Sequence, residues 1–342
     1  MKQHLNTLYV TTEHAWLSLD GETVSVSLNN QLLGRVPLLN IQAIQTFGWS
    51  IGASVQLMAQ CAAKGIHIAF CSPSGRLLCN VSGFTHGNVL LRRQQYRIAD
   101  SENISILVAR EMIAAKILNS RLILQRFVRE HSVSSAAPYA QEVVEKLAIS
   151  VKHARKALNS QELLGIEGNA AELYFSVFDE LLFSADCSFN GRTRRPPKDP
   201  VNAALSFVYS LLTSDCKSAL ESVGLDSAVG LYHKDRPGRP GLALDLMEEF
   251  RAPMADRLVL SLFNRRQLKN KDFTFEETDG VRLSDEARRL VLTAWQEKKA
   301  ETLMHPFLQE KITIGLLPYI QSRLLAQYIR GSLDAYPPLI WR

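Results

Sequence analysis

Glu167 is a carboxylate set among apolar residues. The segment ELLGIEGNAAELYFSVFDELLF, 162–183, has helical periodicity, and the residues three, four and seven positions from Glu167 are Leu163, Leu164, Ala170, Ala171 and Tyr174. Those positions share one stripe of a helix surface. A carboxylate turned toward a protein interior is costly unless an ion partner, hydrogen bonds or a metal compensates it. Three readings are open: a structural ion pair, a Glu at the edge of the stripe, and a ligand to a bound cation. Gly168, Ala170 and Ala171 are small, which would let a second element approach closely.

A second group of acids stands in GLALDLMEEFRAPMADRLVL, 241–260. Its periodicity predicts a helix with Leu246, Met247, Phe250 and Leu258 on the apolar side. Asp245 and Glu248 are three apart and share a face, with Arg251 and Ala252 one turn further on. The preceding GLYHKDRPGRPG, 230–241, is rich in Gly, Pro and basic residues and reads as a loop carrying His233. Two carboxylates and an imidazole form a hard, oxygen-rich ligand set with one nitrogen. Such a set suits Mg2+ or Mn2+ better than structural zinc, which takes closed tetrahedral Cys/His ligation. Taken singly, His233 reads equally as a solvated loop residue and the acids as an exposed helix face; spacing does not bring them together.

These residues need elements to position them. Residues 1–88 read as a β-rich domain. Alternation marks strands over 5–12, 15–21 and 23–30, with Asp20-Gly21 as a turn, and again over 66–71 and 76–83; a helix over 53–65 ends on Gly65. From residue 89 to 342 the periodicity is helical, so the fold class is α+β: a β-rich N-terminal domain and an all-α C-terminal domain. The Pro-rich RTRRPPKDP, 192–200, separates two helices, with Pro200 in the first turn of the second and Asn202 near its cap. Asn202 reads there as a capping residue.

Charge and composition narrow the class. Thirty-nine Lys and Arg against 34 Asp and Glu give +5, a modest excess whose distribution matters more than its size. Basic runs lie at 92–97, 192–198, 234–239 and 265–271. The second and third flank the acids and carry Arg192, Arg194, Arg195, Lys198, Arg236 and Arg239, which suits an electrostatic grip on a phosphate backbone. The runs hold few aromatic residues, so no base-stacking platform is indicated. The five cysteines are odd in number and form no CxxC, as expected of reduced thiols in a cytoplasmic protein. No apolar run approaches the roughly 20 residues of a membrane span, and the N-terminus lacks a signal-peptide core.

The stretches 165-GIEGNAAELYF-175, 199-DPVNAALSFVYSLL-212, 229-VGLYH-233 and 239-RPGLALDLMEEFR-251 resemble, in order and spacing, the successive motifs of the CRISPR-associated spacer-acquisition integrases, the universal "Cas-one" endonuclease family. The ending 327-QYIRGSLDAYPPLIWR-342 resembles the subtype I-C branch. The resemblance implies a Mg2+ or Mn2+ ion held by Glu167, His233 and Glu248, which carry the catalysis. Asp245, Asn202 and Tyr174 are expected around these ligands. The implied reaction inserts captured double-stranded DNA into the CRISPR repeat by 3′-hydroxyl attack on a phosphodiester. The implied assembly is a homodimer through the N-terminal β domain, bridged by a small ferredoxin-like adaptation partner. A stand-alone metal-dependent nuclease and a non-catalytic architectural DNA-binding protein are the alternatives.

Overall fold

The computed structural model describes residues 7–73, 75, 77–81, 83, 89–184, 186–194, 196–276 and 280–341. The chain forms two compact units, residues 1–87 with 288–300, and residues 88–287 with 301–342.

The first unit contains β1 (Thr7–Val10), β2 (Trp16–Asp20), β3 (Thr23–Leu28), β4 (Gln31–Pro37), β5 (Ala43–Phe47), β6 (Gly52–Ala53), α1 (Val55–Lys64), β7 (His67–Cys71) and β8 (Leu77–Val81). They build two four-stranded sheets, ordered β1-β5-β7-β8 and β4-β3-β2-β6. Alternate residues of the strands meet the buried side of α1, so Leu17, Val24, Ile44, Leu57 and Ile68 form a closed core. The Asp20-Gly21 turn joins β2 to β3 with Asp20 opposite Thr23. Ser54 accepts from the Leu57 N–H to start α1, and Gly65, at φ 69°, ends it. The sequence reading passed over β4 because its residues are nearly all exposed and show no alternation.

The second unit holds α2 (Val89–Asp100), α3 (Glu102–Glu130), α4 (Ala137–Ala154), α5 (Ser160–Ser176), α6 (Pro200–Val223), α7 (Gly241–Met247) and α8 (Arg257–Asn264). After these come β9 (Phe273–Glu276), β10 (Gly280–Leu283), α9 (Asp285–Ala300), β11 (Thr302–Met304), β12 (Lys311–Thr313) and α10 (Leu317–Ile329). The long α3 packs on α4 and α5, and the long α6 on α7 and α10. A strand-rich N-terminal region therefore precedes a helical C-terminal region. Two details differ from a split at residue 88 into β and all-α parts. The helical unit carries two small antiparallel pairs, β9–β10 and β11–β12. Residues 288–300 of α9 belong to the first unit, where Trp295 is buried and Gln296 donates to the Thr7 carbonyl.

The helix expected over 241–260 is interrupted. α7 stops at Met247, a π-helical turn spans Arg251–Asp256, and α8 follows. Pro253 accounts for the break, since it offers no N–H and its ring displaces the preceding turn. Among the described residues no helix is long and apolar enough to cross a membrane. All five cysteines are free.

Candidate active site

The two acid groups meet on one cation. Asn159 caps α5 by accepting from the Glu162 N–H, and the helix turns Leu163, Ala170 and Tyr174 inward. Leu164 and Gly168 are exposed, so the apolar stripe is narrower than its spacing implied and Glu167 stands at its edge, with its side chain 18% exposed. A Cβ at Gly168 would meet nothing within 4 Å, so its small size does not serve close packing. Lys116, from α3, bridges Glu167 Oε1 and Glu248 Oε2, the latter at 2.8 Å. Tyr232 Oη donates to Glu167 Oε2 at 3.3 Å. Glu248 is 3% exposed and is also paired with Arg251 at 3.0 Å. Burial acts to raise its pKa, but the charges of Arg251 and Lys116 outweigh it and hold the carboxyl at about 2. Glu248 is therefore ionised at neutral pH although it is buried.

Sequence reasoning missed Lys116. Only Met112 and Ile113, four and three positions before it, hint in the sequence at an inward face; the structure shows Asn119 and Ser120, three and four positions after it, to be buried as well. A lysine on such a face invites the same question as Glu167.

His233 is held by Asp245. The fully buried Asp245 accepts the backbone N–H groups of Leu231, Tyr232 and His233 at 2.6, 2.9 and 2.8 Å, and lies 2.6 Å from His233 Nδ1. The loop can fold over the helix this tightly only because two residues lack side chains. A Cβ on Gly230 would stand 2.4 Å from the His233 carbonyl, and one on Gly241 2.7 Å from the Ala228 carbonyl. The Asp245 carboxylate thus fixes a loop and an imidazole, and with Nδ1 engaged, Nε2 is the nitrogen left to ligate. The exposed-helix-face reading of 245–248 does not hold: Asp245, Glu248 and Glu249 are all buried.

Among the described residues no three His, Cys, Asp or Glu side chains are gathered so as to hold an ion as they stand. Glu167 and Glu248 converge on the Lys116 ammonium, so this point of the fold already gathers two carboxylates around positive charge. Glu248 Oε2 is buried and makes no well-formed hydrogen bond, since Lys116 approaches at 2.8 Å outside hydrogen-bonding geometry. An ionised, buried and imperfectly satisfied oxygen, a second carboxylate and an oriented imidazole fit Mg2+ or Mn2+.

Beyond this centre, Tyr209 and Tyr174 donate to the buried Asp256 at 2.6 and 3.1 Å. The guanidinium groups of Arg192 and Arg251 lie over the Tyr209 ring, 5.3 and 5.0 Å from its centroid. Tyr174 contacts no proposed ligand directly. Asn202 is not the cap of α6; Asp199 is. Asn202 Oδ1 instead accepts from Arg192 and from the Thr193 N–H, and its Nδ2 donates to Gly191 O and Asp199, pinning this loop to α6. Arg192 turns inward, bonding Asn202 and Ser206, so its guanidinium is already engaged within the protein. Arg194, Lys198 and Arg236 are exposed and Arg239 half-buried, while Arg195 lies outside the described residues.

Two acids on one cation and a carboxylate-held imidazole thus make a buried, charged site between α3, α5 and the segment after α7. The family model described as "CRISPR associated protein Cas1" matches residues 8–297, and the chain belongs to the Cas1 family. It is 47% identical to "CRISPR-associated endonuclease Cas1 1" of Chlorobaculum tepidum over 344 residues, covering 100% of both chains. It is 48% identical to "CRISPR-associated endonuclease Cas1 2" of Rhodospirillum rubrum over 348 residues, again covering 100% of both. Among solved structures, a CAS1 protein from Thermotoga maritima superposes with a TM-score of 0.82 at 25% identity, covering 97% of this chain and 99% of that one.

Proposed function

We propose that this chain is a metal-dependent DNA endonuclease and integrase that inserts captured fragments into a CRISPR array. The 3′-hydroxyl of the incoming fragment attacks a phosphodiester of the repeat; a new P–O bond forms, the old one breaks, and a 3′-hydroxyl leaves. Both full-length relatives carry the name endonuclease. The observation that carries the reading is the convergence of Glu167, from α5, and Glu248, after α7, on one cation. A Mg2+ or Mn2+ ion held by Glu167, His233 and Glu248 would acidify the attacking hydroxyl and neutralise charge on phosphorus. Asp245 orients the imidazole and Arg251 keeps Glu248 ionised. Lys116 must release a carboxylate when a divalent ion loads. Exposed Arg194, Lys198 and Arg236 hold phosphates and keep the strands in line. The partners are double-stranded DNA, a second copy of the chain and a small ferredoxin-like adaptation protein, in the cytoplasm. Leu32, Leu33, Leu39 and Trp49, exposed on the first unit, offer apolar surface for the homodimer.

The test supplies a 3′-hydroxyl-ended duplex and a repeat-bearing target with Mn2+ or with chelator. Joining that needs the metal supports the reading. Cleavage without joining favours a stand-alone nuclease, and DNA binding with no strand chemistry favours an architectural role.

A further inference from the structure

Glu249, beside Glu248 in sequence, is as deeply buried and faces away from the acid cluster into a separate polar network. Its Oε1 accepts from Tyr336 Oη at 2.5 Å, and its Oε2 from the Leu339 N–H at 2.6 Å and from Gln321 Nε2 at 3.0 Å. Gln321 is itself fixed: His305 Nδ1 accepts from the N–H groups of Phe307 and Leu308, so Nε2 carries the proton toward Gln321 Oε1 at 3.0 Å. Asn119, one turn along α3 from Lys116, donates to the Glu249 carbonyl at 2.8 Å and to the Leu339 carbonyl at 2.9 Å. Its Oδ1 accepts the Trp341 N–H at 2.8 Å.

The backbone here is held by single turns and not by a continuous helix: the Glu248 N–H donates to the Asp245 carbonyl at 3.3 Å and the Phe250 N–H to the Met247 carbonyl at 3.0 Å. α7 has only 7 residues and ends at Met247, and a π-helical turn begins at Arg251. Glu248 thus lies between two helical segments, where intrahelical hydrogen bonds are fewest. Neighbouring residues share a peptide plane, so whatever fixes Glu249 also fixes the direction in which Glu248 leaves the chain.

We propose that Glu249 and the segment Tyr336–Trp341 form the positioning device of the site: together with Gln321 and Asn119 they set where Glu248 stands, although none of them touches an ion or DNA. The proposal rests on the reading of Glu248 as an ion ligand. It assigns a role to the end of the helical unit that the acid, loop and basic motifs leave unexplained. Groups that orient a ligand from behind affect metal affinity by about 10–100-fold. A purely structural Glu249 would affect melting alone.

The experiment measures Mn2+ binding to the full chain by titration calorimetry, with melting temperature and strand transfer on the same preparations. Glu249→Ala and Tyr336→Phe should remain folded and bind Mn2+ about 10–100-fold more weakly. Glu249→Gln should lie nearer wild type, because the amide oxygen can take the Leu339 and Gln321 donors while its NH2 group donates to Tyr336 Oη. Leu225→Ala, a buried change outside the network, should lower melting and leave Mn2+ affinity unchanged. Should Glu249→Ala not fold, Tyr336→Phe decides alone, since it removes one hydroxyl. Wild-type Mn2+ affinity in folded Tyr336→Phe and Glu249→Ala overturns the proposal. Absence of Mn2+ binding by the wild type overturns the metal reading itself, and with it the proposal.

Discussion

Replacing Asp245 with Asn changes one atom of a residue that faces four donors at once, the N–H groups of Leu231, Tyr232 and His233 and the ring Nδ1 of His233. An asparagine can turn either way. If its NH2 group faces Leu231 and Tyr232, two buried N–H groups lose their acceptor, at about 1–3 kcal/mol each. If it faces His233, one N–H is orphaned, but Nδ1 can become an acceptor, which moves the imidazole proton to Nε2. The second arrangement costs about half as much, so it should prevail. The expected result is a loss of about 1–3 kcal/mol, or roughly 2–12 °C in melting for a unit of this size. The nitrogen needed as a ligand would then carry a proton. Mn2+ affinity should fall by about 10–100-fold, and excess Mn2+ should recover part of the strand transfer. Glu248→Ala should not be rescued at any Mn2+ concentration. Nitrogen-15 shifts of the His233 ring report the tautomer directly. A variant with the wild-type tautomer, melting temperature and Mn2+ requirement would refute the role given to Asp245. Rescue of Glu248→Ala with a dead Asp245→Asn would reverse the two assignments.

Lys116→Met should leave Glu167 without its ammonium partner and Glu248 paired with Arg251 alone, lowering stability in chelator; Mn2+ should raise its melting temperature by more than it raises that of the wild type, and equal rises would count against Lys116 as the stand-in cation. Burial raises the Asp256 carboxyl from 3.8 to about 6, against the opposing hydrogen bonds from Tyr209 and Tyr174. A raised carboxyl pKa means the folded state holds its proton longer, so stability from this group is present below about pH 4 and lost as pH rises to about 6, on the order of 2–3 kcal/mol in all. Melting of Asp256→Asn relative to wild type should therefore improve across that window, and a flat difference would contradict the assignment. Arg192→Ala should destabilise by about 1–3 kcal/mol through its lost internal bonds without altering the salt dependence of DNA binding. Neutralising Arg194 and Lys198 should instead lower the slope of log affinity against log salt by about 0.9 for each phosphate no longer neutralised. The opposite pattern in DNA titrations would place Arg192, and not the other two, on phosphate.

The strands of the first unit were legible where one face is buried and the other is not, as in β2 and β3; β4, nearly all exposed, and β5, buried at four of its five positions, leave no period of two to read. The helical unit was legible by periodicity, but the break after Met247 was not, because the apolar positions continue in step through Pro253. In the site, Glu167 and Glu248 could be found from composition against pattern, and His233 from its loop. What joins them was not legible. Lys116 comes from a helix about 50 residues earlier in the chain, and a contact between distant segments leaves no mark in local spacing. Asp245 was read as a companion acid, whereas three backbone N–H groups make it the clamp of the His233 loop. Arg192 looked like part of a basic run, yet its partners Asn202 and Ser206 on α6 draw it inward. Runs of charge report composition, and direction is set by packing.

The most direct test of the account is Glu167→Gln. The amide oxygen can accept from Lys116 while the NH2 group donates to Tyr232 Oη, so both neighbours seen in the structure keep a partner and melting should stay close to wild type. The anionic ligand is lost. Strand transfer of a 3′-hydroxyl-ended duplex into repeat DNA, measured across Mn2+ concentrations, should be abolished in the folded variant. Full joining activity by folded Glu167→Gln would contradict the claim that this carboxylate holds the catalytic ion.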